Sequence, residues 1–181
     1  SQMYGLIFSG NCEGKLCFYG YGNDLCGTTT VQPDTWYHGA VTFDGATLNL
    51  YLNGRLENSM STTLGTVLDA NGLTIGARPG GALWQGETDE VRVHTSALSA
   101  SEIEDIYNAR EAGVCGNCVE PPTGMVNWWG GDGNGADMQG TDDGILVGNT
   151  TYGAGMVGQA FSFDGAGDYV QMADVATGDL G

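Results

Sequence analysis

Between residues 33 and 54 the chain reads PDTWYHGAVTFDGATLNLYLNG, and its apolar and polar positions alternate without a break after the first turn. Leu48, Leu50 and Leu52 fall on one side of an extended segment, with Thr47, Asn49, Tyr51 and Asn53 on the other. Asp44-Gly45 and Asn53-Gly54 bracket that segment with the dipeptides that favour two-residue hairpin turns. Trp36, Tyr37, Val41 and Phe43 mark a β-favouring strand before it, and Arg55-Leu56 begins one after it. The pattern predicts a three-stranded meander with one wet and one dry face, and the dry face demands a second sheet to cover it.

The same pattern places other strands along the chain. Met3–Ser9 and Lys15–Tyr21 alternate around a turn near Asn11–Gly14, and Asn23-Asp24 turns the chain into Thr28–Val31. Asn71-Gly72 opens a strand over Leu73–Ala77, and a Gly/Pro-rich loop from Arg78 to Gly81 leads to Trp84. Glu87–His94 reads as one continuous strand with Asp89, Val91 and Val93 sharing a face. A single helix is expected over 100–110, where Ser99 and Glu102 have capping-box spacing and Ile103, Ile106 and Tyr107 form a short apolar stripe. Residues 113–124, with two cysteines and two consecutive prolines, read as a linker. Beyond it Met125–Trp129, Ile145–Val147, Phe161–Phe163 and Asp168–Met172 are four further strands separated by glycine-rich turns.

Composition narrows the partners. The 181 residues contain 32 glycines without a collagen-like period, so the glycines serve turns between many short strands. Five Lys+Arg stand against 22 Asp+Glu, a formal net charge of −17, which leaves nothing to neutralise phosphates and excludes nucleic acid as a partner. No apolar run reaches the roughly 18 residues a membrane span needs. Cys12, Cys17, Cys26, Cys115 and Cys118 in a glycine-rich β chain fit an oxidising, extracellular or cell-surface location with at least one disulfide. Their pairing is open. Cys115-x-x-Cys118 is the lone CxxC, too few ligand pairs for a zinc site. With no initiator Met and no signal peptide, the chain reads as processed or excised.

The segments Trp36-Tyr-His38, TFDGATLNLYLNG, LTIGARPGG, Asp89-Glu-Val-Arg-Val93 and ALSASEIEDIYNA resemble the second half of a laminin-G-like (LamG-type) domain of the concanavalin A-like lectin/glucanase superfamily. The tail VNWWGGDGNGADMQGTDDGILVGNTTYGAGMVGQAFSFDGAGDYV resembles the first part of the same domain type. The order is permuted: residues 1–112 are the C-terminal part of a sandwich, 113–124 a linker, and 125–181 an N-terminal part that completes its own or a neighbouring copy's domain. The central family strand, of the type FTIEAWV, is missing from both pieces. The resemblance implies an all-β, two-sheet antiparallel jelly-roll sandwich with one short helix. It does not by itself choose among sugar binding, adhesion, calcium binding and glucan hydrolysis.

Candidate chemistry is sparse. Hydrolases of the superfamily place carboxylates as E-x-D-x-E or E-x-D-x-x-E; here Glu87 and Asp89 supply two, but the third position holds Val91 or Arg92, so no catalysis is expected. His38 and His94 lack a nucleophile pattern and read as structural. Calcium is the candidate cofactor, with Asp89, Asp164 and Asp168 as its ligands; a turn at Asp164-Gly165 and a hydrogen bond from the backbone to Asp89 are the alternative. Asp132, Asp137, Asp142 and Asp143 form a second acidic cluster that reads as a solvated loop. Trp84, in a glycine-rich loop, is the candidate for stacking on a sugar ring, and Asn149-Thr-Thr151 is an N-glycosylation sequon.

Two functions follow as expectations. One is a non-catalytic extracellular structural or adhesion protein whose pieces associate head to tail with other copies, by strand donation, into a filament. The alternative is a calcium-dependent carbohydrate-binding (lectin) module with glycans as partners.

Overall fold

A computed structural model of the chain describes residues 5–9, 14–20, 22–65, 72–77, 83–109 and 122–172. The chain divides into two compact units. The first takes residues 1–67, 96–122 and 179–181; the second takes 68–95 and 123–178.

In the first unit the expected meander is present as β4 (Gly39–Phe43), β5 (Thr47–Leu52) and β6 (Arg55–Ser61), paired antiparallel in that order. The sheet that covers its dry face comes from the start of the chain: β1 (Gly5–Ser9), β2 (Lys15–Tyr19) and β3 (Leu25–Thr30). Leu48, Leu50 and Leu52 of β5 pack with Leu16, Phe18 and Leu25 in one core, at a period of two along each strand. β3 begins earlier than the sequence suggests, because Cys26 lies opposite Cys17 and the two form a disulfide across the β2–β3 pair. Cys12, Cys115 and Cys118 lie outside the described residues, as does most of the expected linker.

The opposite face of the meander is wet only in part. The helix α1 (Ala100–Ala109) lies over it and buries Tyr51 with Leu98, Ile103 and Ile106 in a second small core. Its start is the expected capping box: Ser99 Oγ accepts from Glu102 N at 3.3 Å, and Ser99 N donates to Glu102 Oε2 at 2.8 Å. Gly54 permits the close approach. Its φ is 77°, and a Cβ there would meet Tyr107 at 3.1 Å and the Glu104 backbone at 3.3 Å. Glu57, at the bulge in β6, ties β6 to β3, accepting from the backbone and hydroxyl groups of both Thr28 and Thr29 at 2.7–3.0 Å.

The second unit is built from β7 (Leu73–Ile75), β8 (Gln85–Thr88), β9 (Val91–His94), β10 (Met125–Trp129), β11 (Ile145–Val147), β12 (Thr151–Ala154), β13 (Gln159–Asp164) and β14 (Tyr169–Met172). Its sheets run β11-β14-β7, β12-β13-β8 and β10-β9, all antiparallel. Each strand of the 73–94 segment thus pairs with a strand of the tail in the same chain, which is why residues 68–95 group with it. Trp129, Phe161, Phe163, Val170, Met172 and Ile75 form the core.

Two local expectations change. The stretch expected as one strand from Glu87 to His94 is interrupted at Asp89-Glu90, where Glu90 takes a φ of 57°. A strand not anticipated, β12, forms in Thr151–Ala154; its single aromatic residue, Tyr152, packs beside Phe161 with ring centroids 5.9 Å apart.

Candidate functional site

The carboxylates of the second unit gather in three places. The register of β8 against β13 sets Gln85 opposite Asp164 and Thr88 opposite Phe161, so the next residue, Asp89, lies beside Ala160. Four residues of strand, about 13 Å, separate that point from Asp164. The register thus sets Asp89 at the opposite end of β13 from Asp164.

Asp164 and Asp168 do meet, at the β13–β14 turn. Asp168 is 1% exposed; its Oδ2 accepts from Asp164 N at 2.8 Å and its Oδ1 from Asn149 N at 3.2 Å. Asp164 Oδ1 accepts from Ala166 N at 2.7 Å, and Oδ2 from Asn149 Nδ2 at 2.7 Å. The Asn149 amide and these turn contacts hold the Asp164 carboxyl below its ordinary range. All four oxygens are thus committed to protein N–H groups, the arrangement of a turn closed by its own side chains. Among the described residues no group of three or more His, Cys, Asp or Glu side chains is disposed to hold a metal ion. The sequon residue Asn149 is exposed, with its amide in use.

Asp89 serves another turn. Its Oδ2 accepts from Val157 N at 2.9 Å, and Asp132 Oδ1 accepts from Gln159 N at 2.7 Å, so two carboxylates hold the Gly155–Gly158 turn between β12 and β13. The second oxygen of Asp89 is buried without a partner. Burial, with Asp132 nearby, pushes the Asp89 carboxyl above its ordinary value. Glu90 is raised by burial as well, against the pull of Arg92, with which it is paired. The two side chains are only 12% and 10% exposed, and the Arg92 guanidinium lies 5.2 Å from the centroid of the Trp128 ring. The interrupted strand is the local consequence: the backbone turns at Glu90 so that adjacent acids serve different partners.

The third place corrects an expectation. Asp137 is no solvated loop residue; it is 9% exposed and accepts five hydrogen bonds. Oδ1 takes Trp128 N, Gln139 N and Gly140 N at 2.9–3.0 Å, and Oδ2 takes Asn127 Nδ2 at 2.6 Å and Asp142 N at 3.3 Å. Asn127, 2% exposed, also donates to Asp142 Oδ2 at 2.8 Å, while Trp129 Nε1 donates to Asp142 O at 2.9 Å. Burial works to raise the Asp137 pKa, but the Asn127 amide and the backbone donors outweigh it and hold the carboxyl low. Periodicity gives no hint of this, because the residue lies in a loop; Asp and Asn beside glycines in GADMQG is the one available signal.

Trp84, the sugar-stacking candidate, is half-buried. Its ring packs against the core cluster, and its Nε1 donates to Glu87 O at 3.4 Å. Glu87 itself is exposed on β8, and Val91 and Arg92 occupy the positions where a third carboxylate of the hydrolase pattern would stand.

Antiparallel strands and, among the described residues, one helix make the chain all-β, consistent with the sandwich folds of the lectin-like class. The chain belongs to the concanavalin A-like lectin/glucanases superfamily, whose laminin-G-type family model matches residues 2–104. No curated protein matches the sequence. Among solved structures the chain is similar to a crystal structure of residues 221–444 of an S-layer domain-containing protein from Clostridium thermocellum ATCC 27405, at 20% identity and a TM-score of 0.35. That similarity covers 59% of this chain and 63% of the other. No helix among the described residues is long and apolar enough to cross a membrane.

Proposed function

We propose that this chain is a non-catalytic extracellular structural or adhesion module that assembles head to tail with other copies by exchanging its tail. The observation that carries the reading is the set of pairings β7·β14, β8·β13 and β9·β10. The tail completes its sheets with strands that lie on the far side of α1 and the 113–124 segment in sequence. The same registers are available between copies, and a head-to-tail contact of that kind propagates unless it closes. The Cys17–Cys26 disulfide supports an oxidising, extracellular setting.

Mixing two single variants tests the exchange. Glu87 lies opposite Ser162 in the β8·β13 register. Glu87→Cys and Ser162→Cys, expressed separately, unfolded, mixed and refolded, give a covalent dimer of the two under oxidation if tails exchange. A double variant that cross-links only within single chains, together with a concentration-independent monomer in light scattering, refutes assembly.

A carbohydrate-binding lectin module is the second reading, favoured by membership of a superfamily that contains lectins. Calcium dependence would require Asp164 and Asp168 to release the N–H groups they now hold. A glycan array probed with the monodisperse protein, with and without chelator, separates this reading from the first.

A further inference from the structure

The first unit contains an open cleft of about 530 Å³ where α1 crosses the β5–β6 hairpin. We propose that this cleft binds the zwitterionic head of an amino acid, with Arg55 receiving its carboxylate and Glu104 its ammonium group. The proposal goes beyond the assembly and lectin readings and depends on neither.

Three properties of the cleft point to this ligand. First, its unsatisfied charges balance. Arg55, Glu57 and Glu104 all line it, but both oxygens of Glu57 are engaged by Thr28 and Thr29. Among the described residues neither the Arg55 nor the Glu104 side chain has a hydrogen-bond or ion-pair partner. One cation and one anion are left facing the same space, which suits neither a phosphate nor a bare metal ion.

Second, the two charges are close enough to be bridged. A Cβ on Gly54 would lie 3.3 Å from Glu104 Cα, and Arg55 follows Gly54 directly. With ordinary bond lengths the Arg55 and Glu104 Cα atoms lie within about 9 Å of each other. The nitrogen and carboxyl carbon of an α-amino acid are about 2.5 Å apart, so side chains of this reach can close on both ends of one molecule. A guanidinium matches a carboxylate through two parallel N–H donors. An exposed Arg–Glu pair gains little by closing on itself in water, so opening it for a ligand costs little.

Third, the remaining wall combines aromatic and polar residues, so a side chain attached to the zwitterionic head has ring surface to lie against. Tyr37 and Tyr107 stand in it beside Thr29, Asn53 and Asn108. The volume lies within the range of small-molecule sites and exceeds what one amino acid fills, so a residue at the end of a short peptide also fits.

Calorimetric titration of the full chain with L-leucine tests the proposal, with N-acetyl-L-leucine and L-leucinamide as probes lacking one charge each. Saturable binding of leucine is expected, with a dissociation constant of about 0.01–1 mM, and at least about tenfold weaker binding of both analogues. Arg55→Ala and Glu104→Ala, both at exposed positions, should each weaken leucine by a similar factor with an unchanged far-UV circular dichroism spectrum. The proposal is overturned if leucine does not saturate, if the analogues bind as well as leucine, or if the variants leave leucine affinity intact. Binding of D-galactose that both variants abolish, without leucine binding, would make the cleft a saccharide site and equally overturn it.

Discussion

Replacing Asp137 should test whether the loop between β10 and β11 is held from within or merely solvated. Asp137→Ala removes the acceptor of five hydrogen bonds at a site only 9% exposed. Hydrogen bonds to a charged group contribute about 1.5–3 kcal/mol each when buried. They share one carboxylate and do not add, so the ceiling is set by broken buried charge networks, about 3–5 kcal/mol. We expect a loss in that range. Asp137→Asn is more discriminating. The amide oxygen can still accept from Trp128, Gln139 and Gly140, but the new NH₂ faces the Asn127 amide and Asp142 N–H in place of Oδ2, for a loss of about 1–3 kcal/mol. Urea unfolding followed by tryptophan fluorescence suits the measurement, because Trp128 and Trp129 both contact the network. The order wild type, Asn, Ala should appear in the transition of the second unit. The sign with pH follows from the low carboxyl: its contribution is complete above the ordinary aspartate value of 3.8 and is lost as pH falls through the lower folded value. If Asp137→Ala unfolds within about 0.5 kcal/mol of the parent, as surface changes do, the loop is solvated and the network has no energetic weight.

Asp89→Asn should have the opposite sign. The raised carboxyl of Asp89 favours folding only while protonated, a contribution present below the ordinary aspartate value and lost as pH rises through the raised folded one. The Asn variant should therefore melt higher than the parent at pH 7 and lose that advantage near pH 4; a lower melting temperature at pH 7 would show that the charge is needed. Gly54→Ala should cost about 2–3 kcal/mol, combining a left-handed backbone with contacts to Tyr107 and Glu104; an unchanged melting temperature would mean that α1 does not dock there. For calcium, chelator should leave the melting temperature of the wild type unchanged if Asp164 and Asp168 only close a turn, whereas a chelator-dependent drop that Asp168→Ala abolishes would establish a bound ion.

Much of the fold is written locally in the sequence, and the reason is periodicity. The alternation of Leu48, Leu50 and Leu52 can be satisfied only by an extended segment with one buried face, and Asn53-Gly54 closes its hairpin whatever lies beyond. Ser99 and Glu102 start α1 through bonds within four residues. Other features depend on partners distant in sequence, and no window of residues carries them. Tyr51 alternates as a wet-face residue but is buried, because α1 returns from some fifty residues away to cover it. Asp89 looked like a companion of Asp164 and Asp168; the β8·β13 register sent it to the opposite end of the strand. Asp137 looked like one acid among four until the loop folded back and aimed five donors at it. The resemblance to a permuted LamG domain indicated two kinds of piece, and the pairings with β7, β8 and β9 decided which strands the tail completes. Local sequence determines what each segment can become; long-range pairing determines which side chains meet, because the energy of a register or a hydrogen bond belongs to two segments and is absent from either one alone.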